Sequence, residues 1–280
     1  MANRRRPSPL VPAPVAALTR AVFAAVAASR KPRREGHRGA RVLHPDGIGF
    51  AARVEFCGSE AGGDSLLGRR QTHAAIVRLS RAVGLPGDLP EPLGVAIRLL
   101  DARGPGAHQD LLFATSAQSP LARHALLPGL GGFFGQFFSS LWPFGVGGRP
   151  RMLGLAPVNA VHSPRDLERL AAVAQGRCYR ICVARLGGPW ISVAQVEIGE
   201  RLPDEVVERL RFNPWNTGED LRPAGPLMGL RDAAYEGSQR GRFYAGDREH
   251  RPDRTEPVAP ATRENGARGN GAVRSRLSRA

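Results

Sequence analysis

Gly39-Ala40-Arg41-Val42-Leu43-His44-Pro45-Asp46-Gly47-Ile48-Gly49-Phe50 is the stretch on which the fold of this chain turns. Its strand-like pattern runs over residues 41–56. A histidine just inside a strand, with an arginine three residues before it and two glycines after it, carries meaning only in combination; alone, such a histidine is an ordinary surface or core residue. Working outward, residues 74–83 alternate apolar and polar side chains, as do residues 93–100, and residues 110–114 make a further short strand. Within the first of these, Ile76-Val77-Arg78-Leu79-Ser80 puts Arg78 and Ser80 on one face, because side chains alternate along a strand.

A helix is expected after Ser163, with Ser163 as its N-cap, Pro164 at its first position and Asp166 favouring the N-terminal dipole. Leu167, Leu170, Ala171 and Val173 give it one apolar face, and Gly176 ends it. Residues 178–186 and 190–198 read as two strands joined through Gly187, Gly188 and Pro189, a hairpin signature. Antiparallel strands at this spacing predict an α+β fold, an antiparallel β-barrel core with helices flanking it. There is no internal repeat.

At 280 residues the chain can bury one sizeable core. The expected organisation is a basic arm and helix over 1–38, a folded domain over 39–246 and a disordered tail over 247–280. The tail has almost no large apolar residues and cannot offset its ordering entropy. The formal charge is +15 and the isoelectric point about 11.4, with Lys31 the one lysine. Such a balance often marks nucleic-acid binding. Here much of the excess lies in Arg4–Arg6, in 30–38 and in 263–279, which argues against nucleic acid as the partner.

Cys57, Cys178 and Cys182 contain no Cys-x-x-Cys pair and form no disulfide framework, as in a reducing compartment. Residues 14–29 have the outline of a signal peptide, but Arg20 splits the apolar run. Val15, Leu18, Val22, Phe23 and Val26 fit an amphipathic helix better, so the reading favours the cytoplasm over secretion. Residues 125–148 carry no charge, yet Pro128, Pro143 and several glycines interrupt them. Phe133, Phe134, Phe137, Phe138, Trp142 and Phe144 therefore read as an apolar wall or interfacial patch, which leaves peripheral membrane contact open.

No phosphate-binding Gly-x-x-x-x-Gly-Lys, no His-Glu-x-x-His and no Gly-x-Ser-x-Gly occurs, so kinase and common hydrolase readings lose their support. Near the end stand Phe212-Asn213-Pro214, then Arg231-Asp-Ala-Ala-Tyr235, then Arg242. On a helix, Arg231 and Tyr235 would stack on one face.

Taken in order, these stretches resemble the haem catalases. Arg41-Val-Leu-His44 with Gly47 and Gly49 is similar to the family's distal-histidine motif. Val77-Arg78-Leu79-Ser80 resembles the strand whose serine orients that histidine, and residues 92–100 the strand that follows. Asp110-Leu-Leu resembles the start of the distal-asparagine segment, Arg123 to Pro128 the stretch after it, and Phe212 to Tyr235 the segment carrying the proximal ligand. The matches follow family order over most of residues 39–242.

The resemblance implies haem b, with Tyr235 bound to its iron and Arg231 favouring the phenolate. It also implies His44 as the acid–base residue toward hydrogen peroxide or an organic hydroperoxide, Ser80 fixing the imidazole, and Arg41, Arg78 and Arg242 facing the haem propionates. Homo-oligomers are expected on the same ground. One position departs from the pattern, for Thr115 stands where the distal asparagine is expected. A hydroxyl is a shorter donor than an amide, so peroxidase or weak catalase activity is expected. The alternative is a haem protein without catalysis, serving storage or sensing.

Overall fold

The computed structural model describes residues 44–83, 85 and 88–225. The expected site residues Arg41, Arg231, Tyr235 and Arg242 lie outside these, as do the arm over 1–38 and the tail over 247–280.

Ten strands follow in order: β1 (Asp46–Cys57), β2 (Arg70–Arg81), β3 (Leu93–Leu99), β4 (Gln109–Thr115), β5 (Phe138–Ser139), β6 (Phe144–Val146), β7 (Arg149–Pro157), β8 (Cys178–Ala184), β9 (Ile191–Arg201) and β10 (Leu221–Pro223). Eight of them close a ring, β1-β2-β3-β4-β5-β7-β8-β9 and back to β1, with every pairing antiparallel. Closure removes the unpaired edges that an open sheet exposes. β6 and β10 extend outward from β7.

The α+β expectation needs correction, because the described fold is mostly β. Its α-helices are two short ones, α1 (Leu167–Ala174) and α2 (Asp204–Arg209). The N-cap of α1 is Asp166, whose carboxylate accepts from Arg169 N at 3.0 Å, and not Ser163. Ser163 is buried and its hydroxyl accepts from Phe134 N instead. Gly176 does follow the helix, at φ +77°, a conformation a side chain would strain.

Period-two alternation builds the barrel interior. Ile48, Phe50, Val54 and Phe56 of β1, Val77 and Leu79 of β2, Leu93, Val95, Ile97 and Leu99 of β3, and Leu111 and Phe113 of β4 all point inward. The segment after β4 adds Phe133, Phe134, Phe138 and Phe144 to the same core. Tyr179 joins them, its phenol donating to Phe133 O at 2.8 Å. Of the two readings of these side chains, an apolar wall or an interfacial patch, the burial favours the wall and corrects the patch, since the rings are buried and only Trp142 among the aromatic side chains there is substantially exposed. Each ring so buried contributes about 1.5–3 kcal/mol. Among the described residues no helix is long and apolar enough to cross a membrane.

Candidate active site on the outer face of the barrel

The inward residues of β1–β4 leave an outer face composed in three rows. Register places Gly47, Ser80, Gly94 and Ala114 side by side, then Gly49, Arg78, Ala96 and Leu112, then Ala51, Ile76, Arg98 and Asp110. The first two rows hold mostly glycine and alanine. Gly47, Ala96, Leu112 and Ala114 remain partly open in the middle of the sheet, while Arg78 and Ser80 are only 3% exposed.

His44 stands above the first row. Its backbone has φ +56°, left-handed and unusual for a residue with a side chain. Among the described residues, three bonds hold it there. His44 N donates to Ala82 O at 3.0 Å, His44 O accepts from Arg78 Nη2 at 3.1 Å, and Nδ1 lies 3.1 Å from Ser80 Oγ. Glycines make the room. A Cβ on Gly94 would lie 2.6 Å from Nδ1 and closer still to Cε1, and one on Gly47 would lie 2.5 Å from the Arg78 Cζ. Gly49 gives way to α2 in the same manner, where a Cβ would strike Val207 at 2.5 Å.

The loop that supplies Ala82 is itself anchored. Glu91, buried, accepts from Arg81 Nε at 2.6 Å, Val83 N at 2.6 Å and Leu85 N at 2.9 Å. Pairing and hydrogen bonding let a buried carboxylate persist in such a place.

The structure thus brings His44, Ser80 and Arg78 together and leaves Thr115 apart. Thr115 follows Ala114 by one residue and so faces the barrel interior, fully buried. Its hydroxyl donates to Leu127 O and accepts from Leu93 N at 3.1 Å. The β4 side chain in the row beneath His44 is the methyl of Ala114, which corrects the expectation of a hydroxyl donor there.

Sequence reasoning missed the seat that Gly94 provides. An isolated glycine inside a strand pattern was the available signal, since it often marks a close approach. It also missed the covering strap, residues 211–216, which crosses the outer face at the Arg98–Asp110 row. There the indole Nε1 of Trp215 is buried without an acceptor among the described residues.

No group of His, Cys, Asp and Glu among the described residues could hold a metal ion directly. The small-residue rows leave a floor beside His44 on which a flat, mostly apolar group could lie.

No family model and no curated protein matches this chain. Among solved structures, a bacterial catalase is similar with a TM-score of 0.55 at 15% identity, over 86% of this chain. The chain has a catalase-like fold. It spans 65% of the length of that catalase, and at this identity the likeness concerns the fold alone.

Proposed function

We propose that the protein is a haem-dependent oxidoreductase that consumes hydrogen peroxide or an organic hydroperoxide, with Tyr235 as the iron ligand and His44 on the reactive face. The observation that carries the reading is the conformation of His44. A left-handed backbone costs about 1–3 kcal/mol and persists where surroundings enforce it, most often at functional sites. Here three hydrogen bonds and a glycine seat enforce it, above a floor that a flat group can cover.

When bound, haem would supply the redox-active iron against which a peroxide O–O bond is split. His44 Nε2 would accept a proton from one peroxide oxygen and return it to the other. Ser80 holds the ring in the orientation this needs, and Arg78 fixes the histidine backbone while placing positive charge beside the site. The expected partners of the propionates are Arg41, Arg78 and Arg242, with Arg231 next to Tyr235; these assignments rest on the sequence resemblance, as does self-association.

Ala114 favours a slow peroxidase over a fast catalase, since a methyl cannot hold peroxide by a hydrogen bond. The same methyl keeps a second reading in play, a haem protein for storage or sensing.

Absorption spectra of protein supplied with haem decide among these. A ferric Soret band of tyrosinate character that Tyr235→Phe abolishes supports the proposal. Peroxide turnover lost in His44→Ala separates the enzyme from the storage protein. Absence of haem uptake by the wild type would overturn both.

A further inference from the structure

On the β5–β7–β8 side of the ring, away from the β1–β4 face that carries His44, three separate segments meet around Arg123. That side chain is 1% exposed. Its Nη1 donates to Arg185 O at 3.1 Å, and its Nη2 to Gly188 O at 3.0 Å and Gln118 O at 3.2 Å. The guanidinium also lies over the Trp190 ring, 4.5 Å from its centroid, and the Trp190 indole donates to Gln118 O at 2.8 Å. Next in the chain, His124 Nδ1 lies 3.0 Å from Leu141 O. One buried cation thus ties the loop over 118–124 to the β8–β9 hairpin, and the adjoining histidine ties it to the turn after β5.

What these segments leave outside is apolar. Leu121 is 93% exposed, Leu126 53%, Leu186 46% and Trp142 36%. Single exposed leucines are ordinary; four large apolar side chains on segments tied together by one buried arginine make a patch. Phe137, Phe138 and Phe144 are buried, so the tryptophan is the ring of that run left at the surface.

Charge decides what such a patch meets. Residues 111–165 and 178–196, which supply all three segments, contain no aspartate or glutamate. Among the described residues, every hydrogen bond of the Arg123 side chain ends on a backbone carbonyl, so no carboxylate offsets its charge there. Arg185 and His124 stand exposed beside the leucines. Two copies of the chain facing each other here would set like charges together, and leucines gain nothing from the phosphates of a nucleic acid. Apolar side chains among uncompensated cations suit the boundary between acyl chains and anionic headgroups, where tryptophan is also at home.

We propose that this face docks on a membrane bearing anionic headgroups, with Leu121, Leu126, Trp142 and Leu186 entering the acyl boundary and Arg185 lying at headgroup level. The surface is separate from the His44 face and does not depend on the haem reading.

The test co-sediments the full chain with vesicles of phosphatidylcholine, alone or mixed with an equal amount of phosphatidylglycerol. The arginines of 30–38 and 263–279 also attract anionic lipid, so the deciding variant, Leu121→Gln/Leu186→Gln, leaves every charge in place. Expected is binding to the mixed vesicles that is at least about tenfold weaker in this double variant and about fivefold weaker in Arg185→Gln. Brominated lipid in the mixed vesicles should quench the tryptophan fluorescence of wild type, and much less that of Trp142→Phe. Equal binding by the double variant, or quenching that Trp142→Phe leaves unchanged, would place the contact elsewhere and overturn the proposal. So would failure of wild type to bind the mixed vesicles. A dimer in ultracentrifugation that the double variant dissolves, without vesicle binding, would make the face a contact between copies and overturn it equally. Far-ultraviolet circular dichroism checks that the double variant folds; should it not, the Trp142→Phe comparison decides alone.

Discussion

Ser80 Oγ lies 3.1 Å from His44 Nδ1 and 3.2 Å from the carbonyl oxygen of Gly94. A hydroxyl has one proton and a carbonyl can only accept. The arrangement that satisfies all three groups sends the Ser80 proton to Gly94 O. The His44 Nδ1–H then donates to Ser80, which leaves Nε2 as the basic nitrogen of the ring. Ser80→Ala removes that constraint. Peroxide turnover should fall by about 10–100-fold, and the 15N shifts of His44 should report mixed tautomers. Turnover and shifts like those of wild type would refute the assignment.

Gly94→Ala tests the seat of the ring. The added methyl overlaps Nδ1 and Cε1 of His44, so the ring must leave or the strand must move. Overpacking of this kind costs about 1–3 kcal/mol. Peroxide turnover should drop to the level of His44→Ala while the far-ultraviolet circular dichroism stays that of a β-protein. A variant as active as wild type would show that the ring need not rest there.

Thr115→Val should act on stability and not on chemistry. It strips both hydrogen bonds from a fully buried site and strands Leu93 N and Leu127 O, at about 1–3 kcal/mol for each unsatisfied group. Urea denaturation should show the loss, and turnover per folded molecule should not change. A selective loss of turnover would restore Thr115 to the reactive site.

Stability should fall on mild acidification because of two histidines. Burial, then the charge of Arg98, holds His108 below its ordinary value, against the pull of Asp101 and Asp110. Burial lowers His73 as well, partly offset by its bond to the Leu100 backbone. With folded values depressed, the unfolded chain binds more protons below about pH 6.5. The stabilisation is therefore complete above that pH and is lost as pH falls through the lower folded values. Protonation at Nδ1 of His108 would also break the bond it accepts from Asp101 N. Thermal midpoints between about pH 7.5 and pH 5 should decline, and His108→Gln should flatten the decline. An unaltered slope in that variant would remove His108 from the account.

The three thiols should react in a fixed order. Cys57 is exposed, whereas burial and the nearby Glu197 raise Cys178, and burial pushes Cys182 up to about 11. A thiol reagent near pH 8 should therefore label Cys57 first and Cys182 only after unfolding. Early labelling of Cys182 by mass spectrometry would contradict its placement in β8.

Strands β1–β4, β8 and β9 were legible because large apolar side chains recur at their inward positions, even where the outer face is also covered, as in β3. Their bounds moved by a few residues, as with β2, which begins at Arg70. β7 was not legible. Pro150 and Gly154 interrupt its pattern, and the glycine is there to admit Phe137 and Trp190, residues distant in sequence. Composition alone left the phenylalanines of 132–144 open as an apolar wall or an interfacial patch, since nothing local says that the segment folds into the core. His44, Ser80 and Arg78 were legible as a group, through their order along the chain. The side on which Thr115 falls was not, because one residue of slip exchanges the two faces of a strand. Nor did Arg98 announce its partners, for Arg211 and Asn213 meet it only after the chain has gone round the barrel.

Gly94 also has value for reading other chains built on this barrel. Directly opposite the serine of β2, it is the position at which a single added carbon evicts the imidazole. A distant cousin that keeps glycine there has preserved the parking place of its histidine. If the proposed role of His44 holds, one that has acquired a larger residue should have lost proton shuttling on this face, even where the histidine itself survives, and a peroxide assay of such a chain checks it.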